Sequence, residues 1–151
     1  MRRRDEAAGG LLFAWDRQPA AYRAVEGVRA FHEEAGIPLD DDTRRAALTP
    51  LLDGSPHGSA WLVGPVRAPI GYVVISFGWS VEFGGMDGFV DELYIRPSVR
   101  GRGLGTEVLT HLPKTLSTSG LKAIHLEVSR VAIKTQEAYK RAGFQPRHDY
   151  L

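Results

Sequence analysis

The order of elements predicted along this 151-residue chain indicates an α/β (α+β) fold in which helices pack on a mixed sheet. Helical spacing of apolar residues predicts helices over 20–35 and 42–52. Short apolar, β-branched and aromatic runs predict strands at 11–15, 60–63, 70–79 and 88–95. Strands that follow one another directly after two helices do not match the regular alternation of a doubly wound sheet, so a mixed sheet is favoured.

Length and composition indicate one globular domain. The chain is 43% hydrophobic and 25% charged, close to the globular average, which excludes fibrous and wholly disordered classes. We expect a flexible arm over 1–10 and a single domain over 11–151. No apolar run is long enough to span a membrane, and no signal core is seen. Cysteine is absent, which excludes thiol nucleophiles and zinc–thiolate sites and fits a cytoplasmic location.

A net charge of +1 conceals an uneven distribution along the chain. Residues 82–92 carry four acidic and no basic side chains, whereas residues 93–151 carry ten basic and four acidic ones. Opposed fields of this kind can select ligands of opposite charge. The sequence therefore predicts a basic surface directly after a short acidic one.

The most informative segment is a strand that runs into a glycine-rich loop and then into a helix. Glycines let a backbone approach a ligand closely, and the first N–H groups of a helix lack internal partners and attract anions. A stripe of leucine and valine at every fourth position would pack this helix on the sheet, and Pro113 predicts a kink or an early end. The expected anion cradle comprises Arg100, Gly101, Arg102, Gly103, Leu104, Gly105 and Thr106.

This loop resembles the Arg/Gln-x-x-Gly-x-Gly/Ala signature of the GNAT superfamily of acetyl-CoA-dependent N-acetyltransferases. A second motif of that family, a strand and a helix ending in Tyr-x-x-x-Gly-Phe, is matched by 124–128 and by Tyr139, Gly143 and Phe144. The two motifs occur in the expected order and separation, which is far more specific than either motif alone. One position departs from the pattern, because Ala132 stands where the family often has asparagine.

The resemblance implies a mostly antiparallel sheet with helices on both faces, acetyl-CoA as cosubstrate and no metal. It implies that the loop amides hold the cofactor pyrophosphate and that Leu93, Tyr94 and Ile95 lend backbone groups to the pantetheine arm. It also implies that Tyr139 protonates the departing thiolate, although a core aromatic is the alternative reading. Members of the family are often dimers, so a homodimer is expected.

The acidic window supplies the candidates for the acceptor side. Asp91 and Glu92 are candidates to accept the amine proton through water or to hold a cationic substrate. Because adjacent strand residues point to opposite faces, at most one of them should face the site, and the sequence does not choose. Glu82 and Asp87 would enlarge an acidic entrance, and His32 could line the acceptor side. Each carboxylate could equally be an ordinary solvated residue.

These observations predict transfer of an acetyl group from acetyl-CoA to a primary amine, with a small cationic acceptor as the first candidate. The alternatives are another acyl-CoA donor, a protein amine as acceptor, and a non-catalytic CoA-binding regulatory module, for which Ala132 would mark the lost activity. No nucleic-acid partner is expected, because the basic half lacks interleaved aromatic residues. No membrane partner is expected, because no apolar run is long enough to span a bilayer. Trp61 and Trp79 are interpreted as core residues.

Overall fold

The computed structural model describes residues 12–14, 20–65 and 68–148, so the arm expected over 1–10 lies outside the described residues. The strands are β1 (Leu12–Ala14), β2 (Gly58–Val63), β3 (Gly71–Ser80), β4 (Gly85–Ile95) and β5 (Ala123–His125). The helices are α1 (Ala20–Ala35), α2 (Asp41–Leu52), α3 (Leu104–Ser117) and α4 (Ile133–Arg141), and a 3-10 turn covers Pro97–Val99. None of these helices is long and apolar enough to cross a membrane.

The strands form one five-stranded sheet in chain order from β1 to β5. Neighbouring strands from β1 to β4 pair antiparallel, and β4 pairs parallel with β5. The parallel pair needs a crossover, which α3 supplies. The prediction of a mixed, mostly antiparallel sheet is therefore confirmed.

Helices cover both faces of this sheet, as predicted. On one face, α1 and α2 bury apolar side chains such as Val25, Val28 and Leu48 against the sheet. On the other face, α3 buries Val108, Leu109, Leu112 and Leu116. Tyr139, Ala142 and Phe144, in and after α4, pack partly buried against the α3 core. The two apolar layers hold the sheet between them.

Most predicted boundaries agree with the structure, and α1 agrees at both ends. The α2 helix begins one residue earlier than predicted, because Asp40 accepts a 2.8 Å hydrogen bond from the Thr43 N–H and caps it. The predicted early end of α3 is wrong, since the helix continues past Pro113 to Ser117. Its last turn buries Leu116 in the core, and this packing outweighs the lost backbone hydrogen bond.

Two further expectations are corrected. The strand predicted over 124–128 covers only Ala123–His125, because β5 separates from β4 after three paired positions. Trp61 is buried as expected, but Trp79 is 76% exposed. Trp79 lies near the tip of the β3–β4 hairpin, where the burial of β3 has already given way to exposed positions. The residue pattern of β3 predicts a strand, but it does not show which part of that strand is covered by helices.

Candidate active site

A gap opens in the sheet between β4 and β5. Pairing between these strands stops at Phe89 and His125, whereas β4 continues to Ile95. The Arg96 N–H donates to Ile70 on the β3 side, and the Tyr94 carbonyl lies beside Gly71 of β3. By strand alternation, the backbone groups of Leu93 and Ile95 therefore point into the gap, and those of Tyr94 do not.

A β-bulge interrupts β4 at the start of this gap. Val74 lies opposite Glu92 and Ile75 lies opposite Val90, so Asp91 is an extra residue without a partner in the register. Val90 and Leu93 both pack in the α3 core, which leaves Asp91 and Glu92 together between them. The simple alternation expected for these two residues does not apply at the bulge.

The Glu92 carboxylate is held at both oxygens. His32 Nε2 lies 2.7 Å from Oε1, and the Tyr72 hydroxyl donates to Oε2 at 2.7 Å. Only 7% of the His32 side chain and 18% of the Glu92 side chain are exposed. The pKa of the Tyr72 hydroxyl is raised by burial and by Glu92, so this phenol stays protonated as a donor. The carboxylate is thus oriented before any ligand binds.

A buried arginine fixes the tautomer of His32. The Arg44 Nε–H donates to His32 Nδ1 at 3.2 Å, and Arg44 is itself buried and bonded to Asp41 at 3.0 Å. An arginine can only donate, so Nδ1 must accept and the ring proton must reside on Nε2. His32 therefore donates Nε2–H to Glu92. Arg44 and Tyr72 were not among the residues predicted from the sequence.

The Asp91 carboxylate differs from that of Glu92 in its hydrogen bonding. Within the described residues it makes no side-chain hydrogen bond or ion pair. Asp91 is exposed at the surface, but partial desolvation and the nearby charge of Glu92 raise its pKa, and His32 opposes that shift. Because the preceding Val90 side chain packs in the α3 core, the Asp91 side chain lies on the α1 side of the sheet. The bulge thus presents one fully bonded carboxylate and one available carboxylate.

The glycine-rich loop leads from β4 into α3 with its backbone exposed. Gly101 and Gly103 have φ angles of 79° and 74°, and Gly103 caps the helix. The first helical bond inside α3 is donated by Glu107 to Gly103, so the N–H groups of the first turn, Leu104 to Thr106, have no partner within the helix. An added Cβ at any of the three loop glycines would meet open space. The loop has the shape and donors that an anion needs.

The two arginines of this loop have different surroundings. Arg102 is exposed on the surface. Arg100 makes a two-point ion pair with Glu34 at 2.7 and 2.8 Å, and its Nε–H donates to the Ile95 carbonyl at 2.8 Å. The Glu34 pair lowers the pKa of that carboxyl and raises the pKa of Arg100. The sequence did not indicate this partner for Arg100.

Tyr139 lies in α4, half-buried against the α3 core. Its ring centroid is 6.3 Å from that of Phe144, and the Phe144 N–H donates to the Tyr139 carbonyl at 3.0 Å. Burial raises the pKa of the phenol, which therefore stays protonated near neutral pH. No described residue bonds its hydroxyl, in contrast to Tyr72.

The remaining predicted acceptor-side residues lie at different distances from the bulge. His32 contacts Glu92 directly, as described above. Asp87 lies four residues before Asp91 on β4 and contacts His125 Nε2 at 3.1 Å. Glu82 lies at the hairpin tip, where it pairs with Arg147 at 3.2 Å. At about 3.3 Å per residue, the tip is more than about 20 Å along the strand from Asp91, so the structure does not bring Glu82 into this site.

Comparisons with known proteins agree with this architecture. Residues 11–144 match the family described as "Acetyltransferase (GNAT) family". An integron cassette protein, HFX_CASS3, from the mobile metagenome of Cole Harbour Salt Marsh is 32% identical, with a TM-score of 0.75 over 87% of this chain and 81% of that one. A search among curated proteins returned no match.

Two more distant structures show the same fold. AAC(6')-Iy, in complex with the bisubstrate analogue CoA-S-monomethyl-acetylneamine, is 15% identical, with a TM-score of 0.72 and 93% of each chain covered. A "predicted acetyltransferase with acetyl-CoA" from Clostridium acetobutylicum is 20% identical, with a TM-score of 0.67 and 87% of each chain covered.

The fold, the loop and the gap beside the bulge define an acyltransferase of the acetyl-CoA-dependent N-acetyltransferase class. The chain belongs to the GNAT acetyltransferase family. The family and cosubstrate implied by the sequence motifs are thereby confirmed, and the acceptor is addressed below.

Proposed function

We propose that this enzyme transfers the acetyl group of acetyl-CoA to the primary amine of a small cationic acceptor. The observation that carries the proposal is the pair of carboxylates at the bulge. Glu92 is fixed by His32 and Tyr72, and Asp91 beside it has no partner among the described residues. Both lie at the gap where β4 exposes backbone groups toward a ligand.

The cofactor side of the site suits a phosphate-bearing thioester. The backbone of Leu93 and the Ile95 N–H would pair with the amide groups of the pantetheine arm, whereas the Ile95 carbonyl already accepts from Arg100. The amides of the first turn of α3 would bind the pyrophosphate. Gly105 supports this assignment, since its φ is not in the left-handed region and the folded chain leaves room for a side chain there. A ligand lying against the helix N-terminus explains why a glycine is present.

The proposed reaction assigns a role to each of these residues. The amine nitrogen forms a bond to the thioester carbonyl carbon, and the carbon–sulfur bond breaks with its electron pair passing to sulfur. Asp91 accepts a proton from the amine, directly or through water, because its raised pKa makes it a stronger base than an ordinary aspartate. Tyr139 gives a proton to the departing thiolate. The products are the acetylated amine and CoA, and no covalent enzyme intermediate is needed.

The charges near the bulge favour a cationic acceptor. Glu92 is held in place by two donors and lies next to Asp91 in the sequence. A Cβ at Gly88 would meet Ile75 and Leu121 of the α3 core, so the neighbouring Asp87 lies on the other face, with Asp91. Asp87 and Asp91 are about 13 Å apart along the strand. An extended acceptor with a second positive charge would find a carboxylate at each end.

The proposal is tested by two measurements on the purified chain. Calorimetry should show binding of acetyl-CoA, and release of free thiol should depend on added amine. Diamines and cationic amino acids should be acetylated faster than neutral amines of similar size. A preference for neutral or acidic amines would contradict the cationic acceptor, and a faster reaction with propionyl-CoA or succinyl-CoA would contradict acetyl as the group transferred.

A variant separates cofactor binding from folding. Gly105→Val should leave thermal stability unchanged, because valine is a better helix former than glycine. It should nevertheless weaken acetyl-CoA binding by about tenfold or more, since two methyl groups would occupy the space of the pyrophosphate. Gly105→Ala serves as the matched small substitution. Unchanged acetyl-CoA affinity in Gly105→Val would remove the N-terminal turn of α3 from the cofactor site.

A homodimer and a cytoplasmic location remain predictions. Gel filtration with light scattering measures the first, and cell fractionation measures the second.

A further inference from the structure

Arg100 lies in the loop expected to face phosphate, yet its guanidinium is bonded within the chain. Three of its N–H groups donate to protein oxygens, two of them to Glu34 and one to the Ile95 carbonyl. Its charged carbon lies 5.4 Å from the centroid of the Tyr94 ring. The planar group is thus fixed by a carboxylate, a backbone oxygen and an aromatic face at once.

The pair joins two elements that carry different halves of the site. Glu34 lies in α1, two residues after His32, whose ring donates to Glu92. Arg100 directly precedes the glycines that lead into α3. Apart from this pair, no side-chain hydrogen bond joins the loop around Gly101 and Gly103 to the described side chains of α1. Since both glycines adopt conformations that other residues avoid, the loop path needs an external constraint.

We infer that Glu34 and Arg100 act together as positioning residues that hold the glycine-rich loop against α1 in its acetyl-CoA-binding path. This inference rests on the proposed function. In this role neither residue binds the cofactor, and Glu34 supports the binding of an anion although it carries a negative charge itself. Simple electrostatics makes the opposite prediction, because an acidic residue near a phosphate site should repel the ligand.

The sign of the effect of Glu34 therefore decides between two roles for Arg100. If Arg100 were a phosphate ligand, Glu34→Gln would release its guanidinium and remove a repelling charge, and acetyl-CoA would bind more tightly. If the pair positions the loop, Glu34→Gln should weaken acetyl-CoA binding by about three- to fivefold, the size expected for a two-point ion pair that is partly exposed.

The experiment measures acetyl-CoA affinity by calorimetry for the wild type, Glu34→Gln, Arg100→Gln and the double variant. We expect Arg100→Gln to lose at least as much affinity as Glu34→Gln, because it also removes the contacts with the Ile95 carbonyl and the Tyr94 ring. The double variant should lose no more than Arg100→Gln alone, because the Glu34 contact is already absent there. Glu33→Gln is the matched control, since Glu33 is exposed on the same helix turn and makes no described contact with the loop. Its affinity should equal that of the wild type.

Tighter or unchanged binding in Glu34→Gln would overturn the inference, as would additive losses in the double variant or an equal loss in Glu33→Gln. Glu34→Gln alone keeps the test valid if Arg100→Gln fails to fold. Failure of the proposed function has a different signature, because the wild type itself would then not bind acetyl-CoA.

Discussion

The α1–α2 side of the sheet and the loop at the start of α3 differ in how many of their hydrogen-bonding groups are paired in the folded chain. On the α1–α2 side, Glu92 is bonded to His32 and Tyr72, and His32 to Arg44, so these donors and acceptors are already paired. At the loop, the first amides of α3 have no helical partner, and an added Cβ at Gly105 among them would meet open space. One region is assembled by folding, and the other leaves its hydrogen-bonding capacity for a ligand.

This difference predicts which substitutions should change stability and which should change only binding and turnover. Changes in the bonded network should affect the folded state as well as activity, because each partner removed leaves another buried polar group unsatisfied. Changes at the unpartnered groups should affect binding and turnover while leaving the fold intact. Asp91 and Tyr139 belong with the second kind, although they lie beside the first.

The largest expected effect is on turnover in Asp91→Asn. Loss of the proton acceptor should lower kcat by about 100-fold or more, with acetyl-CoA affinity unchanged. Stability should not fall. The raised pKa means that the folded state disfavours the ionised carboxyl, so stability is lost as pH rises from the ordinary aspartate pKa through the folded pKa, and asparagine removes this cost.

Steady-state kinetics and thermal melts check both halves of this prediction. Asp87→Asn is the comparison variant on the same strand, and it should raise the acceptor KM more than it lowers kcat. Equal kcat in Asp91→Asn and the wild type would exclude Asp91 as the base.

The next effect is on stability in Arg44→Leu. Removing this buried donor leaves His32 Nδ1 and part of Asp41 unpaired, and should cost about 2–3 kcal/mol in the free energy of unfolding. Arg45→Leu is the matched control, since Arg45 is exposed and makes one pair with Asp42, and it should change stability by less than about 0.5 kcal/mol.

Urea unfolding measures both variants. Nitrogen NMR of the imidazole provides a second check, because the wild-type ring should carry its proton on Nε2. A ring protonated on Nδ1, or equal stabilities for the two variants, would contradict the bonded network.

A smaller effect is expected for Tyr139→Phe. The thiolate is a weak base and departs readily, so loss of its proton donor should lower kcat by about tenfold. Burial raises the pKa of this phenol, so it stays protonated up to alkaline pH and should not set the basic limb of the wild-type profile. Acetyl-CoA affinity and the melting temperature serve as controls, and undiminished turnover would remove Tyr139 from the mechanism.

The smallest effect is a shift in the pH profile of Glu92→Gln. The charge of Glu92 is one cause of the raised pKa of Asp91, so its removal should lower that pKa. Activity is lost as pH falls and Asp91 becomes protonated, so the acidic limb of kcat/KM should move to lower pH in the variant. Glu33→Gln should show no shift. An unchanged limb in Glu92→Gln would mean that another group sets it.

Sequence reasoning was most successful where the signal is local. The glycine loop, the order of strands and the start of α3 depend on neighbouring residues, and these were predicted closely. The bulge at Asp91 was not, because a bulge is defined by the register with β3 and leaves no pattern in β4 alone. It is the bulge that places Asp91 and Glu92 together.

The missed partners share a physical cause. Glu92 bonds to His32 across 60 positions, and Arg100 to Glu34 across 66. Only the packed fold brings such residues together. Arg44 gave a weak hint, since it precedes the buried Leu48 by four residues and so lies on the inward stripe of α2. An arginine on an apolar stripe indicates a buried acceptor, but not which one.

The separation of β5 from β4 has a consequence for how the folded state is completed. Past Phe89, one edge of β4 has no strand beside it among the described residues. On the proposed function, the pantetheine arm lies where a neighbouring strand would be. The cofactor then forms the backbone hydrogen bonds that β5 does not form with this part of β4. Hydrogen exchange at Leu93 and Ile95 would then slow with cofactor concentration, and the cell's acetyl-CoA supply would contribute to keeping this enzyme folded.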